Sequence, residues 1–536
     1  MKRVDMTSYE FACENFEWQV PAQFNYGGDV VDAWADDPER MALIWVNGEG
    51  RERRFTFAEI RGLTNRFANY LTEKGVGQGD RVLIMLPRIP EWQIAMIGCN
   101  KIGAIPIPCV TMLTEKDVCY RMEHSGAIAV VTTAAEVGKV TGIPLVRLSV
   151  GKAAGWDDFE SEMARQSTDF APVPVDAEDP AIMFYTSGST GLPKGVLHAS
   201  RALFSWRVSA WYWLSLTEDD VMWCTADTGW SKAGTSILYG PWSCGATVLF
   251  YDGPFDLETR LDFLERYGVS VYCAAATEIR QLVQLDTSGR DLSALRLSVS
   301  AGESVNPEIV RSWSAKTGAL LLDGYGQTET LMTVLNYPQM EVKPGAMGKP
   351  LPGTEAAILP EDGQIAGPEE PGQLAIRCPH PQLMLGYWNN PEKTEESYLR
   401  VDGTTWFLTG DTASMDPDGY LFFGGRDDDV INSSGYRIGP MEVENALMEH
   451  EAVLECAAAA SPDETRGEVV KAFIILKPGF APSEKLTKEL QDFTKALTAP
   501  YKYPRRIAFV DELPKTATGK IQRRLLKQKE FESRGA

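Results

Sequence analysis

In the run Ile182-Met-Phe-Tyr-Thr-Ser-Gly-Ser-Thr-Gly-Leu-Pro-Lys-Gly-Val196, an apolar strand leads into six consecutive hydroxyl or glycine residues: Thr186, Ser187, Gly188, Ser189, Thr190 and Gly191. Lys194 follows. Glycines let a main chain wrap closely around an oxyanion, and Ser and Thr hydroxyls add donors. A lysine adds charge, so the run predicts a phosphate-binding loop. It is not the loop of the GxxxxGK[ST] nucleotidases, because no Lys follows Gly195. Gly195-Val-Leu also reads as a returning strand, not as a helix facing the phosphates.

On either side of the loop the chain alternates short apolar strands with amphipathic helices. Residues 56–74 have helical spacing (Phe57, Ile60, Leu63, Phe67, Leu71), with Thr56 and Glu59 as a capping box. Strand patterns follow at 81–86, 104–109 and 127–132, then at 246–251 and 269–273, with a helix at 257–267 between the last two. This texture predicts parallel α/β layers. After about Pro338, Gly and Pro cluster and short strands dominate, which predicts a small antiparallel β subdomain over about 338–425. From Ile438 the texture is α+β. The predicted fold class is α/β. A large N-terminal domain of residues 1–427 holds two parallel α/β layered subdomains and a small β-barrel-like subdomain. A small mobile α+β C-terminal domain spans 428–536.

The 536 residues allow about three or four domain-sized units. The formal net charge is −22, with 44% hydrophobic and 24% charged residues. Such a balance excludes a disordered or collagen-like chain and argues against nucleic acid and anionic membrane as partners. Any phosphate chemistry therefore needs local positive charge. It is concentrated between Tyr501 and Lys529, where nine Lys and Arg face only Asp511 and Glu512. Nine dispersed cysteines with no CxxC pair read as reduced thiols of a cytoplasmic protein. The N-terminus has no apolar signal core and carries Asp5, Glu10, Glu14 and Glu17, a poor transit peptide. Residues 93–110 are the most apolar, but Lys101, Gly and Pro interrupt them, so membrane insertion is not expected.

Thr186-Ser-Gly-Ser-Thr-Gly-Leu-Pro-Lys-Gly195 resembles the phosphate loop of the adenylate-forming superfamily, which includes acyl-CoA synthetases, aryl-CoA ligases, luciferases and peptide-synthetase adenylation domains. Five further blocks agree in order: Thr225-Ala-Asp-Thr-Gly-Trp230, Asp323-Gly-Tyr-Gly-Gln-Thr-Glu-Thr330, Leu408-Thr-Gly-Asp411, residues 425–444 (GRDDDVINSSGYRIGPMEVE) and Pro514-Lys-Thr-Ala-Thr-Gly-Lys520. The resemblance spans about residues 30–530. Through INSSGYRIGPMEVENALMEH and TAPYKYPRRI the chain most resembles medium-chain acyl-CoA synthetases. It implies two steps: a carboxylate and ATP give acyl-AMP and pyrophosphate, then coenzyme A displaces AMP.

The same resemblance implies roles for individual residues. Thr186, Ser187, Gly188, Ser189, Thr190, Gly191 and Lys194 would hold the β- and γ-phosphates, and Gly302 and Glu303 would border the nucleotide. Tyr325 would stack on adenine, Thr328 and Arg437 would meet the α-phosphate, and Glu329 would bind Mg²⁺. Asp411 would accept the ribose hydroxyls, with Arg426 supporting them. Lys520 would reach the α-phosphate and carboxylate during adenylation only. Asp428 would be the hinge of the small domain, and Ser434, Gly435 and Tyr436 would line the coenzyme A tunnel. Trp230, Ala301, Gly302 and Gly326 would border the acyl pocket.

Acetyl-CoA synthetases carry a tryptophan at the position of Gly326, so this pocket is expected to be open, and Gly326→Trp to shift preference towards short acids. Each buried methylene is worth only about 0.8 kcal/mol, which keeps chain-length selectivity shallow. Straight, branched and aryl acids all stay open. The rivals are an aryl-CoA ligase on the same fold and, more remotely, a non-catalytic nucleotide-binding protein. Acetylation of Lys520 would remove the charge the first step needs. Oligomeric state, monomer or homodimer, is left open.

Overall fold

The computed structural model describes all residues except 143–144, 187–191, 303–304, 306, 361–363, 427–428, 430, 434–435, 464–466, 499–501, 516–520 and 535–536. For residues 426, 432, 436, 437, 442, 467 and 534 only the backbone is described.

Local signals become elements much as the spacing predicts. The Thr56 side chain accepts from the Glu59 N–H, and the Glu59 carboxylate returns the bond, so helix Phe57–Glu73 starts on a full capping box. Phe57, Ile60, Phe67 and Leu71 are buried along one face. The apolar stretch at 93–110 is split into helix Pro90–Lys101 and strand Ile105–Pro108. Lys101 is fully buried, and its ammonium lies 2.6 Å from Asp32. Among the described residues no helix is long and apolar enough to cross a membrane.

Two parallel sheets form the large domain. One orders Ile105–Pro108, Arg81–Met85, Ala129–Thr133, Val146–Val150 and Asp157–Asp158. The other has parallel neighbours Met41–Asn47, Thr247–Asp252, Val221–Cys224, Val271–Cys273, Leu297–Ala301 and Leu320–Gln327. Successive residues of this sheet enter different cores: Cys224, Cys273, Val299 and Leu322 on one side, Trp223, Tyr272 and Leu321 on the other. Burial on both faces is what a parallel sheet requires.

The β-rich segment differs from expectation in one respect. Its antiparallel strands Ala346–Pro350, Ala356–Leu359, Gly372–Arg377, Thr404–Met415 and Leu421–Arg426 continue the second sheet and do not form a detached unit. The link is Leu331–Leu335, which turns back antiparallel on Leu320–Gln327 and offers its far edge to Ala346–Pro350. The segment retains a small core of its own around Val334, Met347, Ile358 and Leu374. The returning strand also forms: Lys194–Ala199 pairs antiparallel with Pro180–Thr186, and Gly386–Tyr387 pairs along its other edge.

The smaller C-terminal domain has a separate sheet. Val453–Asp463 and Gly467–Leu476 pair antiparallel, and Arg506–Phe509 joins in parallel. Ala458, Ala460, Val470, Ala472 and Ile474 face a core with Val443, Leu447, Leu486 and Leu490, from helices Pro440–Met448 and Glu484–Leu497. Ala457, Ala459 and Phe473 pack with Leu513 and Leu526 on the opposite face.

Candidate active site

In open parallel sheets ligands bind beyond the carboxyl ends of the strands. Here those ends deliver Thr225, Ala301 and the turn after Gln327. The candidate residues gather there with residues the motif reading left unassigned.

Asp411 lies on Thr404–Met415 and is 5% exposed. The Tyr325 hydroxyl donates to its Oδ2 at 2.6 Å, and the Gln327 side-chain amide donates to the same oxygen at 2.6 Å. The Gln327 amide also donates to the Thr409 carbonyl at 2.8 Å. Arg426 is the cross-strand partner of Asp411. A buried carboxylate is tolerated only with such donors around it. It is thereby held rigidly by donors from strand Leu320–Gln327. Tyr325 leans towards Phe423, with ring centroids 6.3 Å apart, and so presents an aromatic wall beside that carboxylate.

The turn Thr328–Thr330 carries the next two candidates. The Thr328 hydroxyl is 3.3 Å from the Ser231 hydroxyl. Its carbonyl lies 2.6 Å from His198 Nε2. The Tyr387 hydroxyl donates to Glu329 Oε1 at 3.0 Å, and the Met384 N–H donates to the Glu329 carbonyl at 2.9 Å. Lys194 sits 5.2 Å over the Tyr387 ring. Lysine, tyrosine and carboxylate thus form one stack at the base of the glycine-rich loop. A single carboxylate held open in this way fits Mg²⁺, which is bound by one or two carboxylates together with substrate phosphates and keeps several waters.

Trp230 is half-buried and precedes the short helix Ser231–Ser236, so it is not a core tryptophan. Its loop is tied down at two points. The Thr228 hydroxyl donates to the Leu86 carbonyl at 2.7 Å. Gly229 presses on the Cys109–Val110 main chain, where a Cβ would lie 2.3 Å from the Val110 nitrogen. No side chain fits there, which accounts for Gly229 next to the aromatic. The Lys232 ammonium donates to the Ala301 carbonyl at 3.3 Å, which ties the helix after Trp230 to the end of strand Leu297–Ala301. Gly302 follows with φ +93°.

Gly326 is closely confined by the neighbouring main chain. It lies at a register shift between the strands, where a Cβ would come 2.0 Å from the Leu331 carbonyl oxygen and 2.8 Å from Met332 Cα. Those are main-chain atoms. Glycine is needed at 326 by this close approach, so Gly326→Trp is not a simple test of pocket size.

Thr186 ends its strand directly opposite Lys194. Ser187, Gly188, Ser189, Thr190, Gly191, Glu303, Asp428, Ser434, Gly435 and Lys520 lie outside the described residues, as do the side chains of Arg426, Tyr436 and Arg437. The chain flanking 516–520 is fixed, however. The Gln522 N–H donates to the Pro514 carbonyl at 2.8 Å, and Lys515 bridges Ile521. The Arg523 guanidinium grips Glu444 with two bonds of 2.8 and 2.6 Å.

Sequence matches follow this arrangement along nearly the whole chain. The family described as AMP-binding enzyme matches residues 31–388. The chain belongs to the AMP-binding enzyme family. The matching AMP-binding enzyme C-terminal domain covers residues 442–520. Among relatives of this AMP-binding enzyme, the Rattus norvegicus acyl-coenzyme A synthetase ACSM3, mitochondrial, is 40% identical, over 98% of this chain and 94% of its own. The human acyl-coenzyme A synthetase ACSM5, mitochondrial, is 40% identical, over 96% and 91%. The Brucella canis acyl-CoA synthetase structure is 36% identical with a TM-score of 0.75, covering 98% of this chain and 99% of that one. The anthranilate CoA ligase AuaEII, solved with anthranoyl-AMP, is 30% identical with a TM-score of 0.87, covering 96% and 99%.

Proposed function

We propose that the chain is an AMP-forming acyl-CoA synthetase of fatty-acid metabolism, acting on medium-chain acids, branched ones included. Acid and ATP give acyl-AMP and pyrophosphate, and coenzyme A then takes the acyl group and releases AMP. The observation that carries this reading is the convergence of Tyr325 and Gln327 on the buried Asp411, beside the Thr328–Glu329 turn and Lys194.

A carboxylate is ionised at neutral pH, so the first step needs no base. Its difficulty is an anion approaching a polyanion, and the help required is fixed donors and positive charge. Lys194 and the glycine-rich loop hold the terminal phosphates, Thr328 and Arg437 meet the α-phosphate, and Asp411 with Arg426 fixes the ribose. Glu329 would hold Mg²⁺, which when bound offsets phosphate charge. Trp230 and Ala301 face the acyl chain. Lys520 serves the first step, and Ser434, Gly435 and Tyr436 line the thiol tunnel of the second. All nine cysteines are free, which suits a reducing cytoplasm, although the relatives named above are mitochondrial.

Pyrophosphate release from ATP with octanoate, an isobutyrate-type branched acid, benzoate and anthranilate tests the assignment, with and without coenzyme A. Octanoate should be preferred and turnover should require coenzyme A. The likeness to anthranilate and benzoate CoA ligases favours a second reading, an aryl-CoA ligase, which a benzoate preference would establish. Release with none of the acids would reject catalysis.

The boundary at Asp428 carries its own prediction. Proline there fixes φ and removes an N–H donor. Asp428→Pro should slow thioester formation by about 10²-fold, the cost of ångström-scale misplacement, and adenylation much less. An unaffected thioester step would reject the hinge.

A further inference from the structure

We propose that His198 is a positioning residue for adenylation: its imidazole ties the main chain of Thr328 to the strand that returns from the glycine-rich loop. The inference rests on the reading that Thr328 meets the α-phosphate. His198 belongs to Lys194–Ala199 and is fully buried. Its Nε2 lies 2.6 Å from the Thr328 carbonyl. A carbonyl oxygen has no proton to give, so Nε2 carries the hydrogen and the tautomer is fixed. Nδ1 is then a bare acceptor, and it is buried without a partner among the described residues. A leucine would fill the same space without that desolvation cost. What imidazole adds here is the Nε2–H···O bond.

The placement explains what the bond does. Lys194 and His198 are four residues apart on one strand and so share a face. One end of that face bears the lysine assigned to the terminal phosphates, and the other grips the residue assigned to the α-phosphate. Tyr387, paired with the same strand at Val196, holds Glu329. The distance between the two phosphate-binding groups is therefore set through a single strand. Burial and the nearby Arg201 hold the imidazole well below its usual range, at about 4, so it stays an uncharged donor across neutral pH.

The test uses His198→Leu, His198→Gln, Thr328→Val and the double variant His198→Leu with Thr328→Val. The glutamine amide nitrogen reaches the place of Nε2. Pyrophosphate exchange, thioester formation from supplied acyl-adenylate, and Tm are measured for each. His198→Leu should lower kcat for adenylation by about 10²-fold, as misplacement of a reacting group does. KM for ATP and the thioester step should stay within about threefold, because only a transition-state interaction is lost. His198→Gln should recover most of the rate, and in the Thr328→Val background His198→Leu should add less than about threefold. Three results would overturn the proposal: a fall in Tm with normal kcat, glutamine as slow as leucine, or full additivity with a slow Thr328→Val. A Thr328→Val enzyme at the wild-type rate overturns the α-phosphate reading, and the proposal with it. Should the leucine variant not fold, His198→Asn replaces it, since its amide falls short of the carbonyl. A slow asparagine variant beside a fast glutamine variant supports the proposal, and equal rates defeat it.

Discussion

Lys520→Ala is expected to slow adenylate formation by about 10³-fold, the upper cost of losing one charge-stabilising donor. Thioester formation from supplied acyl-adenylate should stay within about threefold of wild type, since a group used only in the other step is being removed. The first step brings a carboxylate onto a phosphate chain inside a protein of net charge −22, so each cation aimed at the α-phosphate counts. The described chain on either side of residues 516–520 is anchored. Gln522 and Ile521 bind back to Pro514 and Lys515, and Lys515 is itself held 2.8 Å from Glu455. Three residues beyond Lys520, Arg523 locks helix Arg523–Arg534 onto Glu444, which is buried. Lys520→Gln, uncharged like an acetylated lysine, should match alanine. Equal loss in both half-reactions, measured by pyrophosphate exchange and by single-turnover thioester formation, would reject the assignment.

Much of the fold was legible because its signals are local. The capping box at Thr56, the strand leading into Thr186 and the return through Gly195 each depend on residues a few positions apart. The C-terminal domain was readable for the same reason: its helices follow the 3.6-residue spacing of Val443, Leu447, Leu486 and Leu490. The continuity of the β-rich segment with the main sheet was not legible. It depends on which edge Leu331–Leu335 offers, a choice made in space. The site divides similarly. Asp411, Tyr325 and Glu329 stand in blocks whose order could be recognised. Of their supports, Gln327 stands in the Asp323–Thr330 block itself, but Tyr387, His198 and Ser231 come from three other elements far apart in sequence, and nothing in their spacing links them. His198 is the clearest case. It interrupts the apolar strand Gly195-Val-Leu-His-Ala199, a signal that could have been followed, but its partner lies 130 residues away.

Gly326 is where sequence and structure pull furthest apart, and the second large effect follows from it. Read by resemblance, it is a vacancy that lets long acids in. In the structure it is a contact between main chains. A Cβ at 326 would lie 2.0 Å from the Leu331 oxygen and 2.7 Å from its carbonyl carbon. Side-chain rotation relieves neither, because both atoms belong to the backbone. Leu331 is itself in the left-handed region, at φ +55°, and its side chain is buried, so the turn has little freedom to yield. Even Gly326→Ala should therefore cost about 3 kcal/mol, at the upper end for an overpacked core. The strain falls on the strand that carries Tyr325 and Gln327, and so on both donors to Asp411. We expect Gly326→Ala and Gly326→Trp alike to lower Tm and to raise KM for ATP, with no change in the rank order of acids that still react. Thermal unfolding with a substrate panel decides the matter. An alanine variant as stable as wild type would show that the turn can move. A tryptophan variant that kept its Tm and turned to acetate would return Gly326 to the acyl pocket as the residue that sets its depth.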